Sequence, residues 1–166
     1  MDLITALALS IGLLGGLATW LFLSAGMGLQ IWAAFIGWAA YYHCGGQTKG
    51  LQDSIAGAVW GAIMATAALA IIPMLGMSVP VAAAIAVALT VFVMIMGAKV
   101  PFLSSIPAAV YGYAATVALA LLGADELKNL GGSLLTTPGV NVAISMAIGA
   151  IFGYVSQQLA GALTKS

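Results

Sequence analysis

The sequence predicts an all-α membrane protein with six hydrophobic helical segments in a single domain, residues 1–166. The first observation is composition. Of 166 residues, 63% are hydrophobic and 5% are charged, and the mean hydropathy is +1.17, whereas a soluble domain carries about 25% charged residues. The second observation is distribution, because the charged residues stand at the ends of apolar runs or between them. So few charges do not cover a soluble surface, so the lipid bilayer is the expected partner.

The first three segments alternate between long and short. Residues 3–25 are uncharged and long enough to cross a hydrocarbon core of about 30 Å. Residues 29–44 allow only about 24 Å of helix, which is short for a span and favours a re-entrant or half-length helix. A polar turn is predicted at 45–50, and the third segment follows at 51–72.

The last three segments include a predicted break. The fourth segment covers 80–98. Residues 101–107 are not expected to form continuous helix, because their two prolines remove hydrogen-bond donors and clash with the preceding turn. The fifth segment restarts at 107–122. The loop at 123–138 carries a charge cluster and has room for a short interfacial helix, and the sixth segment covers 139–163.

Small residues along three segments predict close helix packing. A helical wheel of the second segment places small side chains on one stripe and fans its aromatics over the opposite side. Such stripes let helix backbones approach closely in lipid, and the aromatic side is expected to face lipid, a membrane interface or a cavity. The predicted packing residues are Ala33, Gly37, Ala40 and Cys44 on the stripe, and the GxxxG pairs Gly57–Gly61 and Gly149–Gly153. The fanned aromatics are Trp32, Phe35, Trp38, Tyr41 and Tyr42.

The chain also suggests two inverted repeats, residues 1–76 and 77–166. The GxxxG pair at Gly57 matches the pair at Gly149, and each half holds a long segment, a short or broken one and a GxxxG segment. Three spans per half would place the halves in opposite orientation, with a solute site where the broken helices meet. Chance matching in a chain rich in glycine and alanine is the alternative.

Lysine positions predict the orientation in the membrane. With six spans, Lys49, Lys99 and Lys165 share the side of both termini, and Lys128 stands alone on the other side. Cytoplasmic loops carry the excess of positive charge. Both termini are therefore expected in the cytoplasm.

Three stretches carry a resemblance to a known family. They are the IWAAFIGWAAYY…GG…KGL pattern from Ile31 to Leu51, the FLSSIPAAVYG run from Phe102 to Gly112, and GAIFGY in the sixth segment. This chain resembles the YcdZ-like family of bacterial inner-membrane proteins, whose function is unknown. The resemblance implies the bacterial inner membrane and offers no catalytic residues.

Several function classes are disfavoured by the residues that are missing. Ion-coupled transporters usually keep an ionisable residue at membrane depth, whereas all eight Asp, Glu and Lys residues of this chain stand at the ends of predicted hydrocarbon segments or in loops. One histidine and one cysteine do not suffice for a metal site. Without a basic patch, nucleic acid is not a plausible partner. We therefore expect no enzyme, no metal and no cofactor.

The leading hypothesis is a channel or facilitator for a small neutral or weakly charged solute, working as a homo-oligomer. Free backbone donors and hydroxyls at the start of the fifth helix are suited to a polar solute. For these serines an ordinary helix cap stays open as the alternative. For the aromatics of the second segment, which could line a narrow constriction, the alternative is an interfacial belt with lipid-facing packing. The second functional hypothesis is a non-transporting scaffold or accessory subunit. The candidate lining residues are Tyr42, His43, Ser104, Ser105 and Tyr111.

Overall fold

The computed structural model describes residues 1–125 and 134–165, and within them it contains six α-helices, short 3-10 turns and no strand. The all-α prediction with six hydrophobic helices is therefore confirmed. The helices are α1 (Leu3–Ser24), α2 (Ile31–His43), α3 (Gln47–Met74), α4 (Val79–Met96), α5 (Ile106–Leu122) and α6 (Pro138–Lys165).

Helix length separates the elements into two groups. Four helices among the described residues are long and apolar enough to cross a membrane: α1, α3, α4 with the turn after it, and α6. The α5 helix has 17 residues and α2 has 13, which gives α2 about 20 Å of length. The second segment is thus shorter than the sequence predicts, because Gly26 and Gly28 adopt positive φ and residues 26–30 run without helix before α2.

The turn between α2 and α3 corrects one prediction. Residues 45–50 are not a polar turn throughout, because α3 already begins at Gln47. Three consecutive positive φ values, 85° at Gly45, 69° at Gly46 and 58° at Gln47, reverse the chain within a few residues. Asp53 therefore lies in the second turn of α3, where it forms an ion pair with Lys49.

The proline-bearing connection between α4 and α5 is broken, as its sequence predicts. It consists of two 3-10 turns, Gly97–Lys99 and Pro101–Leu103. Ser105 then caps α5, its hydroxyl accepting a hydrogen bond from the Ala108 N–H at 3.4 Å. The loop after α5, where a short interfacial helix is predicted, is helical at Ala124 and Asp125. Its residues 126–133, with Glu126 and Lys128 of the charge cluster, lie outside the described residues.

In each half of the chain, the first two helices pack mainly on the last helix of the other half. The α1 and α2 helices pack mainly on α6, while α4 and α5 pack mainly on α3, and α3 and α6 pack against each other. Exchanging the two halves therefore reproduces the packing scheme. Alanines dominate the buried core, which lets the backbones lie close together.

Glycine makes the α2–α6 crossing possible. A Cβ at Gly37 would lie 2.1 Å from the Met146 carbonyl oxygen, and one at Gly149 would lie 1.8 Å from the Ala34 oxygen. Both distances are far below van der Waals contact, so only glycine fits at these two positions.

The α3–α5 crossing is built in the same way. A Cβ at Gly61 would lie 1.9 Å from the Ala109 oxygen, and one at Gly112 would lie 2.1 Å from the Ala58 oxygen. In these two crossings α3 corresponds to α6, and Gly61 of α3 holds the position that Gly149 holds on α6. The sequence match instead aligns Gly57 with Gly149, one helical turn away, and the repeat itself stays a prediction.

Contacts between helix ends show which connections share a face of the molecule. The Met1 amino group lies 3.4 Å from the Leu163 oxygen, so α1 begins where α6 ends. The Gln47 N–H bonds Gln157 near the end of α6. Cys44 contacts Ser105, so the connection before α5 lies there too. We name this side the termini face.

Candidate functional site

The end of α2 meets the start of α5 at the termini face. His43 Nδ1 and the Tyr111 hydroxyl share a hydrogen bond of 2.8 Å. Cys44 Sγ lies 3.1 Å from Ser105 Oγ. The short helix and the broken segment thus bring four polar side chains together, and we name them the polar cluster.

Two of the predicted lining residues stand apart from this cluster. The Tyr42 hydroxyl turns toward α6 and lies 2.7 Å from Ser156 Oγ. Ser104 is exposed, and its carbonyl accepts a hydrogen bond from the Ile106 N–H at 3.1 Å. Helical periodicity did not indicate which neighbouring helix each side chain would contact.

An open groove follows α2 and α5 away from the polar cluster, and we name it the α2–α5 seam. It has a volume of about 580 Å³ next to Tyr111, and a second cavity of about 320 Å³ adjoins it beside Trp32. The first cavity is lined by Trp32, Ile36, Ala39, Tyr111, Ala114, Ala115 and Ala118. The seam is therefore apolar along its length and polar at one end.

The chemistry of Cys44 is that of a neutral thiol. It lies just after α2, where burial raises the pKa of the thiol and the hydrogen bond from Ser105 opposes that rise. The thiolate is the reactive form, and the neighbouring His43 bonds Tyr111 rather than Cys44. Among the described residues, no three His, Cys, Asp or Glu side chains are grouped to hold a metal ion.

Two of the five aromatics of α2 correct another prediction, whereas Trp32 and Phe35 are exposed as predicted. Trp38 and Tyr41 are 4% and 0% exposed, so they do not face lipid, an interface or an open cavity. Both rings pack over Gly153 of α6, where a Cβ would lie within 2.9 Å of either ring. The GxxxG pair on α6 is the sequence signal for this contact, since glycine leaves room for a ring as well as for a backbone.

The sequence does not predict a buried polar network that lies on the face opposite the termini. Asn141 is fully buried, and its side-chain amide donates to the Gly28 oxygen at 2.9 Å and to the Leu135 oxygen at 3.1 Å. The Gln30 N–H donates to Ser145 Oγ at 3.0 Å. These bonds satisfy the non-helical backbone before α2, which lipid would otherwise penalise.

Comparison with known proteins identifies a family and a relative. A family model described as a protein of unknown function (DUF1097) matches residues 8–161. The inner membrane protein YcdZ of Escherichia coli (strain K12) is 31% identical over 159 residues, covering 93% of this chain and 83% of that protein. No solved structure matches this chain. The YcdZ-like resemblance is confirmed, and the chain is a membrane protein that belongs to the DUF1097 family of unknown function.

Proposed function

We propose that this protein is a facilitator that lets a small neutral or weakly charged solute cross the bacterial inner membrane down its gradient. The supporting observation is the α2–α5 seam. Two helices too short to be typical spans leave a groove between them, and the polar cluster stands at its end. The inner-membrane location follows the E. coli relative.

The lining of the seam favours neutral solutes. At the termini face, hydroxyl, thiol and imidazole groups are available to replace water around an arriving solute. Beyond them, Trp32, Ile36 and the alanines offer no hydrogen bonds. A small neutral molecule loses about 2–7 kcal/mol for each unpaired polar group in such surroundings, whereas an ion loses far more. The seam therefore discriminates against ions by their hydration.

A homo-oligomer is part of this proposal. The seam is a groove rather than a closed tube, because α2 and α5 contact each other more sparsely than they contact their supporting helices. A second copy packed along the groove would separate the passage from lipid. Residues with small side chains, Ala39 and Ala114, are exposed along its rim, and small residues favour helix association in membranes.

Flux measurements on a matched pair of variants test the proposal. Ala114 lines the seam, while Ala84 is also exposed, lies on α4 and lines no described cavity. In liposomes, the protein is expected to speed entry of urea, acetamide or glycerol without any ion gradient, measured by stopped-flow light scattering. Ala114→Phe should return the rate to that of protein-free vesicles, and Ala84→Phe should leave it high. Equal rates with and without protein across the panel would exclude the facilitator.

A non-transporting scaffold is the second candidate function. The observation that favours it is that the seam is apolar and rimmed by alanines, as a groove for a partner helix would be. In that case Ala114→Phe would abolish co-purification of another membrane protein from native cells. The solute flux would be absent in the unmodified protein as well.

A further inference from the structure

A second cavity lies at the termini face, between the start of α1, the α2–α3 turn and the end of α6. Its volume is about 500 Å³, within the range of about 300–1,000 Å³ that ligand sites occupy. The polar part of its lining comes from Tyr42, Gln47, Gln157 and Gln158. Leu3 and Leu7 of α1 form an apolar wall. It is separate from the α2–α5 seam.

Hydrogen-bond accounting defines what Tyr42 presents to this cavity. The Ser156 hydroxyl donates its single hydrogen to the Gly153 oxygen at 2.7 Å. The Trp38 indole N–H donates to Ser156 Oγ at 3.1 Å. The Tyr42 hydroxyl, 2.7 Å from the same Oγ, must therefore donate to it as well. Its own oxygen is left as a hydrogen-bond acceptor.

The Gln157 amide is oriented by similar reasoning. The backbone N–H of Gln47 lies 2.9 Å from Gln157 Oε1, and a backbone N–H only donates, so the amide oxygen must face it. The Tyr41 hydroxyl bonds the same oxygen. The Gln157 amide N–H groups are thereby left as donors, and no partner for them is found among the described residues. Acceptor, donor and apolar wall thus surround one cavity, and none of its lining residues is charged.

We propose that this cavity binds an uncharged molecule that carries hydroxyl or amide groups together with an apolar part. The donors of Gln157 and the acceptor of Tyr42 would hold the polar groups, and Leu3 and Leu7 would cover the apolar part. A carboxylate or phosphate finds no cationic side chain in the lining, so burying it there is unfavourable. Two kinds of molecule carry such groups: the head group of a neutral lipid, and a free polyol or amide.

Thermal unfolding of the full-length protein in phosphatidylcholine nanodiscs tests the site, since a ligand of the folded state raises the unfolding midpoint. The lipid probe is 1-monooleoylglycerol, and the soluble probes are glycerol and propionamide. Gly161 lines the cavity and has open space around its Cβ position, so Gly161→Leu fills the cavity without a backbone clash. Gly12→Leu is the matched control, because Gly12 also has open space and is exposed on α1.

A saturable rise of the midpoint is expected with at least one of these probes. It should be retained in Gly12→Leu and lost in Gly161→Leu. A response to monooleoylglycerol alone would identify the ligand as a neutral lipid. A response to glycerol or propionamide would identify it as a free polyol or amide. The proposal is overturned if no probe gives a saturable response, if both variants respond alike, or if dioleoyl phosphatidate binds as tightly as the neutral probes.

Discussion

Single residues decide how closely the helices of this protein approach. Gly37 is the clearest case, because a methyl group there would lie 2.1 Å from a carbonyl oxygen of α6. Backbone atoms do not move aside as a flexible side chain does. The α2–α6 crossing therefore depends on the absence of one Cβ atom.

Gly37→Ala is expected to destabilise the protein by about 1–3 kcal/mol, the usual cost of overpacking. Gly16→Ala is the matched control. Gly16 lies inside α1 with nothing near its Cβ position, and alanine favours helix over glycine by up to about 1 kcal/mol. The measurement is thermal or denaturant unfolding in nanodiscs. Equal stability of the two variants would mean that α2 does not cross α6 at Gly37.

The thiol of Cys44 gives a prediction on reactivity. Burial raises its pKa, so at any given pH a smaller fraction is thiolate, which is the form that reacts. Iodoacetamide should therefore modify Cys44 more slowly than a cysteine at exposed Ser104, introduced as Ser104→Cys in a Cys44→Ala background. The Cys44 rate should keep rising above pH 8.5, the ordinary value for a thiol. Faster reaction of Cys44 at neutral pH would contradict a half-buried thiol of raised pKa.

At the scale of elements, the sequence predicts breaks that are caused by local residues. It does not predict backbone that is held by a side chain far along the chain. The break at 101–107 follows from two prolines, and the short α2 follows from a limited apolar run. The start of α3 at Gln47 is different, because it requires positive φ at a residue other than glycine. That backbone is held by the Gln157 side chain, 110 residues further along the chain. No local pattern contains that information.

The non-helical segment before α2 should depend on Asn141. Asn141→Ala removes the donor to the Gly28 and Leu135 oxygens, and a buried polar group left unpaired costs about 1–3 kcal/mol. Hydrogen exchange at residues 26–30 is expected to rise. Gln52→Ala, at an exposed position on α3, is the control and should leave exchange unchanged. Unaltered protection in Asn141→Ala would show that the segment is held without this side chain.

At the scale of the whole molecule, the packing scheme relates the two halves more clearly than the sequence does. Identical letters align Gly57 with Gly149, whereas the crossings relate Gly61 to Gly149. The predicted meeting of the second and fifth segments has a counterpart in the contact between His43 and Tyr111. The sequence predicts Tyr42 at the same site, but its side chain contacts α6. Hydropathy does not separate a lipid-facing helix surface from a buried one, since both are apolar.

The faces of the molecule lead to a topology prediction. Ser104 lies at the termini face with Lys49 and Lys99, while Ser78 lies at the far end of α3, before α4. Both serines are exposed. In a Cys44→Ala background, an impermeant maleimide added to spheroplasts should label Ser78→Cys. It should label Ser104→Cys only after lysis, because the lysine-rich face is expected in the cytoplasm. The reverse result would invert the orientation, and labelling of both from outside would contradict a membrane-spanning α4, whose two ends these serines flank.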